Sequence, residues 1–362
     1  MPRLRRMRRS VLCDEMIYCD MSWSDLEDLY LIVPWEPRPR TYKSASGLIN
    51  ASALDPHTFR RWFRFEQEHL KPLTEGLRIP RVVRSAQGVA VSGEEALLMA
   101  LRRLSYPNRW CDIEPLFGRA SSAMSSIVSQ VMAHIDRVFG HLLDDLTRHT
   151  WLTLDDLNVF SQAVYNRGAP LTNCWGFVDG TARPICRPSV DQRIYFSGHK
   201  RVHALKYQAV MGANGIVCEL DGPYPGSRHD AGILGESGLY AKLQRLTRGC
   251  LYCIYGDPAY PLRPLLMRPY GGATLTAQQQ LFNEGMSTVR QAVEWGFGKV
   301  IAEFAFVDFK KNQKILLQNV GQMYRVATLL TNCHTCLYGS QTSMYFGLRA
   351  PLLEDYLVPR FN

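Results

Sequence analysis

Trp175-Gly176-Phe177-Val178-Asp179-Gly180-Thr181 is a short apolar run that ends in a carboxylate. Such a run reads as a buried strand. A carboxylate delivered by a buried strand is costly unless it is paired or holds a cation. Further acids follow in equally pointed contexts. Asp230 ends Pro225-Gly-Ser-Arg-His-Asp230, Asp257 ends Cys253-Ile-Tyr-Gly-Asp257, and Glu294 sits inside Arg290-Gln-Ala-Val-Glu-Trp-Gly-Phe-Gly298.

Working outward from this run, strand-like segments are expected at 175–179, 192–197, 204–213 and 216–221, with Asn214-Gly215 as a hairpin signal between the last two. A helix is expected over 230–246, a strand over 250–256, a proline-rich connection from Pro258 to Pro269, and a helix over 276–303. Final helical stretches fall in 312–335. The order predicts an α/β layer with a mixed sheet. Asp179 and Asp257 then close two strands, and neighbouring strands would bring their ends together. Glu294 would come from the long helix packed across that edge, and Asp230 starts the connecting helix, where the helix dipole favours a carboxylate.

Converging carboxylates raise one another's pKa unless a cation intervenes. Oxygen-only ligands suit Mg²⁺ or Mn²⁺ rather than Zn²⁺. Two such ions, about 4 Å apart, would activate a water on one side of a phosphodiester and stabilise the leaving oxygen on the other. Asp179, Asp230, Asp257 and Glu294 are therefore the expected metal ligands, with Asp179, Asp257 and Glu294 as the catalytic set. Arg290 lies one turn before Glu294 and should share its face, where it would neutralise a phosphate or hold Glu294.

Upstream, residues 1–55 read as an irregular basic arm or linker and 56–150 as a helical region. Asp55-Pro56 opens a helical stretch, Thr58 to His69. Ser92, with Glu95 three residues later, starts another helix. A short helix from Cys111 to Phe117, a turn at Gly118 and a long helix from Ser121 to about Leu146 resemble a helix-turn-helix. In that motif the start of the last helix enters the major groove, which nominates Arg119, Ser121 and Ser122, with Ser125 and Ser126, for DNA contact. A bundle whose serines are merely exposed is the alternative. Lys200, Arg201 and Lys299, with Arg290, are the candidates for tracking a nucleic-acid backbone; a solvated basic face fits them equally.

Composition adds a broad frame. The 362 residues are 46% hydrophobic and 21% charged, as in ordinary folded chains with a sizeable core. The net charge of +9 favours a polyanionic partner. No run approaches the roughly 18 apolar residues of a membrane span, so no membrane association is expected. The opening Met-Pro-Arg-Leu-Arg-Arg-Met-Arg-Arg lacks the apolar region of a secretion signal. A nuclear localisation signal, a phosphate-binding arm and a solvated terminus all fit it. The ten cysteines form no disulfide framework. Cys250/Cys253 and Cys333/Cys336 have Cys-x-x-Cys spacing, but residues three apart on a strand face opposite sides, which disfavours zinc at the first pair.

Residues 172–335 resemble the DDE nuclease domain of PIF/Harbinger-type transposases. The resemblance rests on ordered blocks: Val178-Asp-Gly-Thr181, Arg183-Pro184, Tyr195-Phe-Ser-Gly-His-Lys200, Tyr207-Gln-Ala-Val210, Gly222 to Asp230, Gly256-Asp-Pro-Ala-Tyr-Pro-Leu262, Pro269-Tyr270, Phe282-Asn283, Ser287, and Arg290 to Gly298. It implies an RNase H-like mixed sheet with flanking helices over 172–337, followed by a C-terminal tail over 338–362. It also implies divalent-metal DNA cleavage, with the metal on Asp179, Asp257 and Glu294, and Asp230 as a ligand or a supporting acid. Two departures stand out, Ala182 where the family usually has His and Trp295 where it usually has Arg. A nuclear and cytoplasmic protein is expected, with DNA, a Myb-like accessory protein and a second copy of the chain as partners. A domesticated DNA-binding protein without cleavage and an RNA-processing nuclease are the alternative readings.

Overall fold

The computed structural model describes residues 53–360, which fall within one compact unit, 44–362. The arginine-rich N-terminus and most of the expected arm lie outside the described residues. Asp55 accepts a hydrogen bond from Thr58 N at 2.9 Å and caps α1 (Pro56–Phe63). The helix expected to reach His69 stops early because Arg64 takes a left-handed φ of 71°. A 3₁₀ turn and α2 (Leu70–Gly76) follow. A small antiparallel hairpin, β1 (Val82–Arg84) and β2 (Ala90–Ser92), was not expected; three-residue strands carry too little alternation to read. Ser92 accepts from Glu95 N and starts α3 (Gly93–Ser105), as its sequence suggests.

The short helix α4 (Trp110–Phe117), the left-handed Gly118 and α5 (Ser121–Phe139) reproduce the expected helix, turn and helix. However, α5 ends at Phe139 and not near Leu146. Gly140 keeps helical angles, and its carbonyl accepts from Leu143 N at 2.9 Å, in a tighter turn, and from Arg325 Nη2 at 3.0 Å; the helical path then stops at Asp145, extended at φ −151°. That stretch is a short α6 (His141–Asp144). Then α7 (Leu154–Asn166) opens with a Thr153/Asp156 capping box and packs on the sheet. No element is expected over 151–171 from the sequence, although Leu157, Phe160 and Val164 do bury one face.

The sheet holds β3 (Cys174–Pro184), β4 (Phe196–Ser197), β5 (Val202–Gly212), β6 (Val217–Pro225), β7 (Cys253–Tyr255) and β8 (Leu266–Met267). Its order is β6-β5-β3-β7-β8, with β4 beside the start of β5. The pairs β6/β5 and β5/β3 are antiparallel, whereas β3/β7 and β7/β8 are parallel. This is the mixed sheet expected from the strand order, and it is consistent with the RNase H-like fold that the family resemblance implies. Most of the expected strand 192–197 is instead a helical turn, α8 (Gln192–Tyr195), and only two residues pair with β5. The helix expected over 230–246 is split by Gly238, at φ 63°, into α9 (Asp230–Ser237) and α10 (Leu239–Thr247). β8 lies inside the proline-rich connection.

On the C-terminal side come α11 (Ala277–Glu303), α12 (Val320–Tyr338), α13 (Gln341–Phe346) and α14 (Leu353–Tyr356). In place of a plain tail, 338–362 contributes buried Phe346 and Tyr356 to the core. The helical region and the sheet share one core. α5 packs against α3 and α12. Arg325 on α12 reaches Asp136 at 3.1 Å and Asp144 at 2.8 Å. Buried Glu219 on β6 accepts from Lys242 Nζ at 3.0 Å and Leu146 N at 3.2 Å. No helix among the described residues is long and apolar enough to cross a membrane.

Candidate metal centre

The parallel pairing Phe177↔Tyr255 fixes the centre of the site. Two residues beyond each partner come Asp179 and Asp257. Asp257 follows the end of β7. Asp179 does not close its strand as expected but lies within β3, opposite Ala209 of β5, because the antiparallel pairing with β5 carries β3 on to Pro184. Gly256 permits the two acids to approach, since a Cβ there would lie 2.7 Å from the Tyr260 ring and 2.9 Å from Val178 Cγ1. Asp257 Oδ1 accepts from Ala259 N at 3.0 Å, which folds the chain back and orients the carboxylate. Asp179 Oδ1 accepts from Gly180 N at 2.9 Å, and its Oδ2 meets Arg290 Nη2 at 3.0 Å. Burial pushes the Asp179 carboxyl above its ordinary range; the Arg290 guanidinium works against that, and the Asp257 charge adds to it. The two aspartates therefore sense one another, as expected of converging carboxylates.

The long helix α11 supplies the third wall. Thr276 and Gln279 form its capping box. Its inward residues Val289, Ala292, Val293, Gly296, Phe297 and Val300 seat it on the sheet. Gly296 is the closest point, because a Cβ there would meet Met211 Cε at 1.7 Å. This seating aims Arg290 at Asp179 and leaves Glu294, one turn on, exposed. Glu294 lines a cavity of about 390 Å³ with Trp295, Lys299, Ser340 and Thr342. That cavity opens between α11 and the start of α13, and neither aspartate lines it. Trp295 packs edge-on against Tyr345 of α13, with ring centres 5.1 Å apart. Its indole thus serves the helix junction at the position where the family usually places Arg.

The structure brings Asp179 and Asp257 together, and Arg290 with them. Asp179, Asp257 and Glu294 do not all lie within 4.8 Å of one another: among the described residues, the one trio of acidic, His or Cys ligand atoms that do is Glu66, Glu68 and His69. In that trio Glu66 is already bridged by Arg60 at 2.8 Å. Asp230 is the first residue of α9, as expected for an acid at a helix start. The donor set fits a hard divalent cation, since Asp179, Asp257, Glu294 and Asp230 offer only oxygen. Arg290 at Asp179 marks the place where the fold demands positive charge. Neither Cys-x-x-Cys pair forms such a group among the described residues; Cys250 is exposed and Cys253 buried.

Several residues nominated for DNA contact have partners within the chain. Arg119 Nε binds Glu95 at 3.2 Å, and Glu114 accepts from both the backbone and hydroxyl of Ser121. Ser126 Oγ accepts from Ala86 N of the small hairpin at 2.9 Å. Lys299 Nζ reaches His334 Nδ1 at 2.9 Å and the Gly339 carbonyl at 3.3 Å. Ser122 is exposed, as are Lys200 and Arg201 in the turn between β4 and β5. Sequence reasoning tied Arg290 to Glu294 or a phosphate and missed Asp179, because the register of β3 against α11 is a tertiary fact.

Residues 178–332 match the family model described as DDE superfamily endonuclease. The matched segment begins one residue before Asp179 and contains all four acids, so this region of the chain resembles the transposase-derived endonucleases, as its motifs indicate. The chain is also 24% identical over 276 residues to "Protein ALP1-like" of Arabidopsis thaliana, covering 70% of this chain and 65% of that protein. The chain thus spans a little under two thirds of the length of that relative. No solved structure matches the chain.

Proposed function

We propose that the chain is a divalent-metal-dependent endonuclease acting on DNA, of transposase descent. The observation that supports this most is the approach of Asp257, just past the end of β7, to Asp179 on the neighbouring strand β3, inside the matched segment and with Arg290 bound to Asp179. Asp179 and Asp257 would hold Mg²⁺ or Mn²⁺, and Glu294 would have to draw in to join them, since the three do not all lie within 4.8 Å of one another here. Such an ion, when bound, supplies Lewis-acid polarisation of the phosphodiester and an activated water. The chain's own contribution is orientation. The Ala259 and Gly180 amides fix one oxygen of each aspartate; the second oxygen of Asp179 is held by Arg290. A nuclear location and DNA as substrate fit the net charge of +9.

Purified full chain with supercoiled DNA and Mn²⁺ is expected to yield nicked product. Asp257→Asn should abolish nicking while leaving DNA affinity within about twofold, because it removes a ligand and no cation from the surface. Equal nicking by the variant and wild type would refute the assignment. A second reading, DNA binding without cleavage, has one observation in its favour: Asp179, Asp257 and Glu294 do not all lie within 4.8 Å of one another, and Glu294 lines the α13 cavity, which neither aspartate lines. Absence of nicking by the wild type, with DNA binding retained, would favour it. DNA contacts are best tested by Lys200→Ala/Arg201→Ala. Deleting 92–146 would remove core residues such as Leu97, Ile127 and Phe139 and unfold the chain.

A further inference from the structure

Burying a carboxylate requires a counter-charge. Asp179 has one in the protein itself. Arg290 reaches it at 3.0 Å, both side chains are largely shielded, at 24% and 15% exposure, and the guanidinium is brought there by a helix seated tightly at Gly296. Arg290 also carries an Nε that is buried without a hydrogen-bond partner. A donor of this kind is usually satisfied, and leaving it bare is costly. The guanidinium is therefore only partly used in its present place.

From this we infer that Arg290 is the resident counter-cation of the Asp179–Asp257 pair: it competes with a divalent ion for Asp179, and a DNA phosphate that draws Arg290 away loads the metal site. This rests on the metal-centre reading above. Oδ1 of Asp179 already accepts from Gly180 N, so Oδ2 is the oxygen open to an ion, and two cations on that one oxygen repel each other. Arg290 therefore leaves Oδ2 when a metal ion takes it. Its long side chain can swing while α11 stays fixed. A backbone phosphate offers a guanidinium two parallel hydrogen bonds, a partner equal to the carboxylate it leaves. Because coupling between ligands is reciprocal, DNA then strengthens metal binding and metal strengthens DNA binding. Metal bound in the absence of DNA is kept low.

The test needs no cleavage. Mn²⁺ binding to the full chain is followed by electron paramagnetic resonance, with and without a short DNA duplex of mixed sequence. For the wild type, DNA should tighten Mn²⁺ binding on the order of tenfold, the size expected for releasing one partly buried ion pair. Arg290→Gln should bind Mn²⁺ on the order of tenfold more tightly than wild type without DNA, and gain nothing further when DNA is added. Arg290→Lys, which keeps the charge but not the fork, should stay close to wild type without DNA. Unchanged thermal unfolding of both variants shows that the fold is kept. Equal Mn²⁺ affinity in wild type and Arg290→Gln would overturn the counter-cation role while leaving the metal site standing. No Mn²⁺ binding by either, matching an Asp179→Asn control, would overturn the metal-centre reading itself.

Discussion

Glu219 should make the folded chain lose stability as pH rises through the weakly acidic range, and Glu219→Gln should remove that loss. The side chain is 1% exposed, on β6 in the middle of the shared core. Burial pushes its carboxyl from the ordinary 4.5 up to about 7, although Lys242 and the Leu146 amide pull it down. The folded state therefore holds this proton where the unfolded chain has released it. The contribution is intact below pH 4.5 and is lost as pH rises towards 7. Each pH unit between the two values is worth about 1.4 kcal/mol, so the loss is about 3 kcal/mol at most. Buried His149 and His334 act in the opposite sense. Burial lowers them to about 4 and about 3, so their contribution is present above pH 6.5 and fades as pH falls. They are common to wild type and variant, and the difference between the two proteins isolates Glu219. Urea unfolding at pH 5, 6, 7 and 8 should show the wild type losing about 3 kcal/mol relative to Glu219→Gln across the series. Parallel curves would show that Lys242 keeps Glu219 ionised throughout, and the reasoning would fail.

Other perturbations follow from the same contacts. Gly296→Ala places a methyl 1.7 Å from Met211 Cε; a loss of about 1–3 kcal/mol in urea unfolding is expected, and Met211→Ala in the same chain should recover part of it. Arg325→Met removes the cation that serves Asp136, Asp144 and the Gly140 carbonyl, with Arg325 itself 13% exposed. The exposure of Asp144 softens the effect, and a drop of about 2–4 kcal/mol in unfolding free energy checks it. Trp295→Arg restores the family's usual residue but strips the edge contact with Tyr345. It should lower thermal stability by a few degrees and leave Mn²⁺ binding unchanged, because the indole touches neither aspartate.

The centre of the site was legible because its signals are local. An apolar run leading into Asp179 and Gly before Asp257 each state their structure within a few residues; that β3 and β7 are neighbours, and that β3 runs on past Asp179 to Pro184, is set by the sheet. The sequence could not state which side chain answers Asp179. Arg290 and Glu294 are four apart and share a helix face, so periodicity treats them alike; their separation depends on the rotation of α11 about its axis. That rotation is set by Gly296 against Met211, a contact between residues 85 positions apart. The same limit explains the helical region. Gly118 and the polar start of α5 were readable as a helix-turn-helix, but Glu95, Glu114 and the β1–β2 hairpin claim Arg119, Ser121 and Ser126 from elsewhere in the fold. Both cases separate two kinds of positive charge. Arg119, Lys299 and Arg325 are satisfied by carboxylates or carbonyls that no proposed ligand competes for, so they stabilise the fold. Arg290 alone of these pairs with an acid that the proposed chemistry needs free, and its function therefore depends on leaving the partner that the fold gives it.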